Sequence, residues 1–388
     1  MNIVLKLLLC ISLCTSIFPA DTQWAVIGAG PAGITAIGVL LDQGIEPKNI
    51  TWVDPEFNVG RLGKFYTNVP ANVTTECFWE YIESCTFFKK LKTPALQALF
   101  NDYDPWLEYP LQNIVDALKE ITEHLFEHIH IKKSLLTSLD YEDTIWNVGT
   151  EHETFTAINV VLATGSYPVI QKYKECDEII SLDLALDQKK LKSLIEPTDT
   201  VAVVGSSHSA ILLLKFLSET PVTRIINFYK HLPIYDKDEI GLMGITEWWA
   251  KNVLEANPPA NLVRVFNNPE SRKAWLPLCN KIIYAIGYQR NELPTIEHCD
   301  YIAYDDQTGI IGPHLFGLGI AFPETYTDEE TGKKIPKVGL LGFMKYAKRI
   351  IPEWITYEDN CKNNNKKRYC CYGIGCLTNK EDMIINNY

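Results

Sequence analysis

The stretch that most restricts the fold is WAVIGAGPAGITAIG, residues 24–38, where an apolar β-branched run meets three glycines and then a helical pattern. Gly28 permits a tight turn from strand to helix, and Gly33 permits close packing of the helix on the strand. Gly30 has no Cβ, so a diphosphate can approach the backbone and the first amides of the helix. The predicted dinucleotide-binding residues of this turn are Gly28, Gly30, Pro31, Ala32 and Gly33.

The residues after this turn complete a βαβ unit. A second strand, residues 50–53, ends at Asp54, twenty-one residues after Gly33. A carboxylate at the end of this strand accepts hydrogen bonds from an adenosine ribose, so we predict that Asp54 binds the cofactor. The alternative, a glycine-rich turn in another kind of α/β protein, leaves Asp54 unexplained.

A second stretch, VAVVGSSHSAILLL at residues 201–214, repeats the pattern with fewer glycines. It keeps the first glycine, and a serine and an alanine stand where the other two would be. Serine hydroxyls can donate to phosphate, so the turn still predicts a nucleotide site. Its predicted binding residues are Gly205, Ser206, Ser207, Ser209 and Ala210. We expect His208, at the start of the helix, to be a surface residue.

The strand after the second turn, RIINFYKH, ends in Lys230 and His231 instead of an acid. A carboxylate there would repel a 2′-phosphate, whereas a cation would attract it. This predicts NADPH rather than NADH, with Lys230 as a binding residue. The alternative that Lys230 is an ordinary solvated lysine stays open.

The order of these patterns predicts an α/β protein in which one Rossmann-like domain is inserted in another. The strands at 158–165 (INVVLATG) and 281–287 (KIIYAIG) have similar endings and flank the insertion. The predicted parts are a signal-like segment at 1–20, a dinucleotide-binding domain at 21–170 and 288–356, an inserted domain at 171–287, and a Cys-, Asn- and Lys-rich tail at 357–388. A helix is expected to end before Pro352.

Charge and cysteine spacing exclude several functions. The formal net charge is −12 and no basic stripe is present, so nucleic acid is not an expected partner. The eleven cysteines include no C-x-x-C, and no Cys/His spacing is typical of zinc, so no metal is predicted.

The N-terminal segment has one early cation, Lys6, and an apolar run at 7–18, which is typical of a secretory signal. Its cleavage site is poor because Phe18 stands where a small residue is preferred. We therefore expect export or membrane association through residues 1–20, with a cytoplasmic location as the alternative.

The two nested motifs, joined by ATG-like crossings at 163–165 and 285–287, resemble the two-dinucleotide-binding-domain flavoproteins. The resemblance implies that the first motif binds FAD, with Ala163, Thr164 and Gly165 at its crossing, and that the inserted motif binds NAD(P)H. Disulfide reductases of this superfamily carry a redox cysteine pair, for which this sequence has no equivalent.

The segment GRLGKFYTNVPANVTTE, residues 60–76, is similar to one in the flavin-containing monooxygenases. Asn72 matches the asparagine that in those enzymes faces the flavin, so the resemblance implies a catalytic role for it. Arg61 could add positive charge near the flavin or the nicotinamide phosphates, or be a solvated loop cation. Asn72 also begins an N-x-T triplet, and a glycosylated asparagine would have to be exposed.

The resemblance implies an FAD-dependent, NAD(P)H-oxidising monooxygenase that uses O2 on a small substrate through a flavin hydroperoxide. Two alternatives remain at this point. One is a flavin reductase that passes electrons to a quinone or a partner protein. The other is a non-catalytic redox sensor, which the irregular second turn would suit.

Overall fold

The computed structural model describes residues 20–101, 110–171, 173, 178–235, 241–299, 302–327, 332, 334–357 and 384–385. None of the helices in these ranges has both the length and the apolar character needed to cross a bilayer. The signal-like residues 1–19 and nearly all of the tail lie outside the described residues, so the expectations for them stay predictions.

Strands and helices alternate around the two glycine turns, whereas, among the described residues, 60–126 are helical between their loops and 130–179 and 281–336 contain mainly strands. The strands are β1 (Thr22–Ile27), β2 (Ile50–Val53), β3 (His130–Lys132), β4 (Leu136–Glu142), β5 (Ile145–Thr150), β6 (Thr154–Leu162), β7 (Ser166–Pro168), β8 (Glu178–Ile179), β9 (Thr200–Val204), β10 (Arg224–Tyr229), β11 (Leu262–Phe266), β12 (Lys281–Tyr284), β13 (Tyr288–Arg290), β14 (Thr295–Glu297), β15 (Ile310–Gly312), β16 (Leu315–Gly317), β17 (Thr325–Thr327), β18 (Lys334–Pro336) and β19 (Ile384–Ile385). The α-helices are α1 (Pro31–Asp42), α2 (Gly60–Phe65), α3 (Thr75–Glu83), α4 (Thr86–Lys89), α5 (Pro94–Asn101), α6 (Gln112–Phe126), α7 (Leu182–Ala185), α8 (Gln188–Leu194), α9 (His208–Ser218), α10 (Gly244–Trp249), α11 (Pro269–Trp275) and α12 (Leu340–Ile355).

The first sheet has the strand order β14-β4-β5-β6-β1-β2-β3, with β16 also paired to β6 and β15 paired to β16. Strands β1, β2, β3, β6 and β16 are parallel, so their carboxyl ends lie at one edge of the sheet. A large core covers one face and buries Trp24, Trp52, Phe88 and Trp354. This packing fixes the sheet edge at which a dinucleotide would bind.

The second sheet has the order β11-β10-β9-β12-β8, and all of its pairings are parallel. The chain enters it after β7 and leaves it before β13, and these two crossing strands pair antiparallel with each other. A mixed sheet with a parallel portion, interrupted in sequence by a second, parallel sheet, confirms the predicted fold class.

Three predicted boundaries are wrong, and one of them is the strand predicted at 281–287, which ends at Tyr284. Strand β6 ends at Leu162, before residues 163–165, because Gly165 has a positive φ of 74° and turns the chain. Helix α12 continues through Pro352 to Ile355. Ile351 and Trp354 are buried on the apolar face of that helix, and the Trp354 indole donates a 2.7 Å hydrogen bond to the Thr308 carbonyl. These contacts extend the helix beyond the proline.

Candidate cofactor sites

The first glycine turn is packed so tightly against backbone that two of its positions exclude any side chain. Gly28 has φ of 106°, and a Cβ there would lie 2.3 Å from the Ala163 carbonyl oxygen. A Cβ at Gly33 would lie 1.9 Å from the Gly28 carbonyl oxygen. Both distances are far inside van der Waals contact, so β1, β6 and α1 meet as closely as they do only because these residues are glycine. The packing role predicted for Gly33 is confirmed.

Gly30 is different, because the protein itself leaves room for a side chain there. The nearest atom to a Cβ at Gly30 would be the Gly60 Cα, at 3.9 Å. Its φ of −79° and ψ of 179° are open to any residue. No side chain of the described residues caps α1, so its first N–H groups remain for a ligand. An open space above uncapped amides is the shape that a bound diphosphate requires.

Two side chains from β2 and the residue after it hold this turn. The Trp52 indole donates to the Gly28 carbonyl at 2.9 Å. Asp54 accepts from the backbone N–H of Ala29 at 2.8 Å, and from those of Glu56 and Phe57 at 2.8 and 2.6 Å. Asp54 thus ties the turn to the next loop. Its predicted contact with a ribose stays a prediction. Oδ1 already accepts from both Glu56 and Phe57, whereas Oδ2 accepts from Ala29 and has capacity for a second donor.

Buried hydroxyl groups without protein partners lie at the same sheet edge. The hydroxyl oxygens of Thr164, after β6, and of Ser134, after β3, are buried and have no hydrogen-bond partner among the described residues. The Thr164 carbonyl instead accepts from the Asn291 amide at 2.6 Å. Burying a hydroxyl without a partner is costly, so these groups suit a bound polar ligand. The residues present therefore fit FAD.

A cavity of about 570 Å³ opens beside Asp54. It lies between the loop at 55–58, Lys133 and the side of α6 that carries Lys119 and Phe126. Since Asp54 marks the predicted adenosine end of the cofactor, this cavity lies where that end would extend.

The second glycine turn repeats the backbone geometry of the first. Gly205 has φ of 139°, and a Cβ there would lie 2.1 Å from the Ala285 carbonyl oxygen. The Asn227 amide donates to the Gly205 carbonyl at 2.8 Å, as Trp52 does to Gly28. Ala210 is fully buried at the position of the third glycine.

Helix α9 begins after Ser207, and within the described ranges no side chain caps it. The hydroxyl-bearing residues Ser206, Ser207 and Ser209 are all partly exposed in this turn. The turn therefore offers hydroxyls and helix amides together to an anion.

His208 is not the surface residue that we predicted. It is half-buried, and burial lowers the pKa of its imidazole to about 4. Its Nδ1 lies 2.9 Å from the Thr246 hydroxyl, and that hydroxyl donates to the Met243 carbonyl. The imidazole must therefore donate from Nδ1, which leaves Nε2 as an acceptor. A neutral His208 contributes no positive charge to this turn at pH 7.

The second turn also shifts the position equivalent to Asp54. The Gly205 amide donates to the Phe228 carbonyl as the Gly28 amide donates to that of Val53, so the equivalent of Asp54 is Tyr229. Lys230 lies one residue farther along and is exposed.

A cation that the sequence analysis missed, Arg264 on β11, lies at the same edge. Its guanidinium lies 4.7 Å from the centre of the Tyr229 ring, and its Nε donates to Asn227. Its Nη2 has no partner among the described residues. A single cation in the apolar strand LVRVF could have indicated a functional arginine. The sequence does not show that Arg264 lies beside β10, because that depends on the order of the strands in the sheet.

Arg61 lies between the two domains instead of in solvent. It forms an ion pair with Asp183 of α7, and the Tyr66 hydroxyl donates to the same carboxylate at 2.5 Å. Asn68 donates to Asp187 at 2.9 Å. The 60–76 segment therefore joins the first domain to the inserted one, and Arg61 and Asp183 line a cavity of about 210 Å³ at this junction.

Asn72 lies in a short turn before α3. Its neighbours Ala71 and Val73 pack on the large core. Its own side chain is half-buried and makes no hydrogen bond with the described residues. The amide is thus available to a ligand, and its catalytic role stays a prediction.

The described cysteines provide no redox pair of the disulfide-reductase kind. Cys77 and Cys85 lie in and after α3, and no disulfide joins any two of the described cysteines. Burial raises the pKa of the Cys85 thiol to about 12, so this residue is not a thiolate at neutral pH.

Comparison with known proteins supports this reading of the geometry. No family model matches the sequence. The chain is 28% identical over 391 residues to a protein named Monooxygenase AgnR1 from Paecilomyces divaricatus, covering 87% of this chain and 99% of that one. Its structure is similar to a flavin-containing monooxygenase from Stenotrophomonas maltophilia, with a TM-score of 0.56, 15% identity, and coverage of 86% and 98% of the two chains. It is equally similar to a bacillithiol disulfide reductase from Staphylococcus aureus, with a TM-score of 0.56, 9% identity and the same coverage.

The chain has the fold of the two-dinucleotide-binding-domain flavoproteins. The resemblance stated from the two glycine turns is confirmed at this level. Because monooxygenases and disulfide reductases share the fold, the choice between their chemistries depends on the residues at the site.

Proposed function

We propose that this protein is an FAD-dependent, NAD(P)H-oxidising oxidoreductase, and that it is a monooxygenase acting with O2 on a small substrate. The observation that carries the proposal is the repeated turn. In both sheets a glycine with positive φ lies against the backbone carbonyl of an alanine where the chain crosses between the sheets. A side chain from the next strand donates a hydrogen bond to the carbonyl oxygen of that glycine. One chain with two such turns has a site for a prosthetic group and a site for its reductant. The similarity to a monooxygenase over nearly the whole chain supports the reaction class.

The first turn would hold FAD. Its diphosphate would lie above Gly30 on the amides of α1, and its polar groups would meet the Thr164 hydroxyl and Asp54. Bound flavin supplies the capacity to accept two electrons from a nicotinamide and to react with oxygen. The protein contributes binding, orientation and exclusion of water.

The second turn would hold NADPH in preference to NADH. Tyr229 replaces the acid that would repel a 2′-phosphate, and Arg264 and Lys230 supply cations at the same edge. Arg264 is the stronger candidate because Asn227 and Tyr229 hold its guanidinium in place, whereas the Lys230 side chain is exposed.

Asn72 would contribute a neutral amide at the reacting end of the flavin. An amide both donates and accepts hydrogen bonds without titrating, which suits stabilisation of an oxygenated state in a site from which water is excluded. Its side chain is left unengaged by the described residues, as such a role requires.

The test separates oxygenation from simple electron transfer. NADPH oxidation, oxygen uptake and hydrogen peroxide release are measured with candidate substrates for the native chain, for Asn72→Ala, and for Asn147→Ala on β5 as a control. If the protein is a monooxygenase, the native chain incorporates oxygen into the product. Asn72→Ala should then release the consumed oxygen as hydrogen peroxide, while the reduction of flavin by NADPH is unchanged. Reduction of a quinone without oxygenated product would support the flavin-reductase alternative. Failure of NADPH to reduce bound flavin would support the redox sensor.

A further inference from the structure

We propose that His124, in the last turn of α6, and Glu127 and His128, in the turn directly after that helix, form a binding site for one divalent transition-metal ion such as Zn²⁺. One nitrogen from each imidazole and one carboxylate oxygen all lie within 4.8 Å of one another. This site is independent of the flavin chemistry proposed above.

The spacing of the three residues brings their side chains to one face. Residues three and four apart on a helix are neighbours, and the His124 and His128 ring centres are 4.6 Å apart. The His124 Nδ1 is 3.5 Å from a Glu127 carboxylate oxygen. Ligands around a tetrahedral zinc ion lie about 3.3 Å apart, from bond lengths near 2.0–2.1 Å. The exposed Glu127 side chain can rotate to shorten its own distance to the two imidazoles.

His128 already has the orientation of a metal ligand. Its Nδ1 lies 3.0 Å from the His124 carbonyl oxygen, and a carbonyl only accepts, so Nδ1 carries the proton. Nε2 is therefore the free electron-pair donor. Metal-binding histidines usually donate their second ring N–H to such a carbonyl or to a carboxylate, which fixes both the tautomer and the ring orientation.

The surroundings restrict the rings and favour a cation. Phe87 lies with its ring centre 5.7 Å from that of His124 and 6.0 Å from that of His128. Asp42 accepts hydrogen bonds from the backbone N–H groups of Thr86 and Phe87, which fixes α4. The site also lies at the negative end of the α6 dipole.

The donor set indicates the class of metal. Two imidazoles and one carboxylate suit Zn²⁺, Cu²⁺ or Ni²⁺, whereas Mg²⁺ and Ca²⁺ prefer oxygen ligands alone. Cysteine and histidine spacings typical of zinc do not predict this site, because its third ligand is a glutamate carboxylate.

Isothermal titration of the untagged full chain with ZnCl2 at pH 7.5 tests the proposal. Three variants are compared with the native chain: His128→Gln; His298→Gln, which disrupts the other such cluster, formed with Asp140 and Glu297; and His152→Gln, an exposed histidine outside both. Cysteine thiols elsewhere are common to all four proteins, so differences in stoichiometry isolate the histidine sites.

The native chain, His298→Gln and His152→Gln should bind one more zinc ion per chain than His128→Gln, or bind it at least tenfold more tightly. Glu127→Gln, at an exposed position, provides a second variant and should also weaken binding. Equal stoichiometry and affinity for the native chain and His128→Gln, or a loss confined to His298→Gln, would overturn the proposal.

Discussion

Replacing Gly30 by alanine should weaken FAD binding without destabilising the fold. The backbone at Gly30 is extended and the nearest atom to a new Cβ is 3.9 Å away. Alanine at a position of compatible conformation stabilises the folded state by about 0.4–1 kcal/mol, because it restricts the unfolded chain. The free energy of unfolding of the apoprotein should therefore be unchanged or slightly higher.

The cost to the cofactor follows from the same geometry. The methyl group would occupy the space above the first amides of α1, where the diphosphate is proposed to bind. A hydrogen bond to a charged group contributes about 1.5–3 kcal/mol. Displacing the diphosphate from a single amide should thus weaken FAD binding by about 10- to 150-fold.

Two matched variants make the test decisive. Gly33→Ala places a Cβ 1.9 Å from the Gly28 carbonyl oxygen and should destabilise the fold itself. Gly342→Ala, in α12 and away from the turn, should weaken neither FAD binding nor the stability of the fold, since its Cβ would meet only Lys337 at 3.7 Å. FAD affinity is measured by titrating apoprotein and following flavin fluorescence, and stability by urea unfolding. A folded Gly30→Ala protein that binds FAD as tightly as the native chain would refute the reasoning.

Three further predictions concern the domain junction and the second turn. Asp183→Asn should lower the free energy of unfolding by about 1–3 kcal/mol in urea, because a half-buried Arg61 loses its ionic partner, whereas the exposed Glu151→Gln should have no effect. Arg264→Gln should weaken the binding of 2′,5′-ADP, measured by calorimetry, at least tenfold and leave the binding of 5′-AMP unchanged. An equal loss of affinity for both nucleotides would mean that Arg264 does not bind the 2′-phosphate. Because the pKa of folded His208 is about 4 and its ordinary value is 6.5, its contribution to stability is full above pH 6.5 and is lost as the pH falls towards 4. His208→Gln should flatten urea-derived stability between these pH values, and an unchanged pH profile would contradict the burial argument.

The features that sequence predicted well depend on local backbone geometry. A strand, a glycine turn and a helix are neighbours along the chain, so the turns at Gly28 and Gly205 could be located from residue types alone. Because glycine has no Cβ, these two residues can adopt a positive φ and lie close to a backbone carbonyl of a neighbouring segment.

The features that sequence missed depend on contacts between distant segments. Asn227 holds the Gly205 carbonyl, and Arg264 reaches Tyr229 from the next strand, only because β9, β10 and β11 are adjacent in that order. Asp183 meets Arg61 across 122 residues of sequence. The sequence also did not predict that α12 continues past Pro352, because the packing of Trp354 determines where that helix ends.

The absorbance spectrum of the purified full chain tests the central claim most directly. The two turns should give a yellow protein with one FAD per chain, and NADPH added without oxygen should bleach that colour. Admission of air should then restore it. A folded protein that is colourless and takes up no FAD when it is supplied in excess would contradict the account.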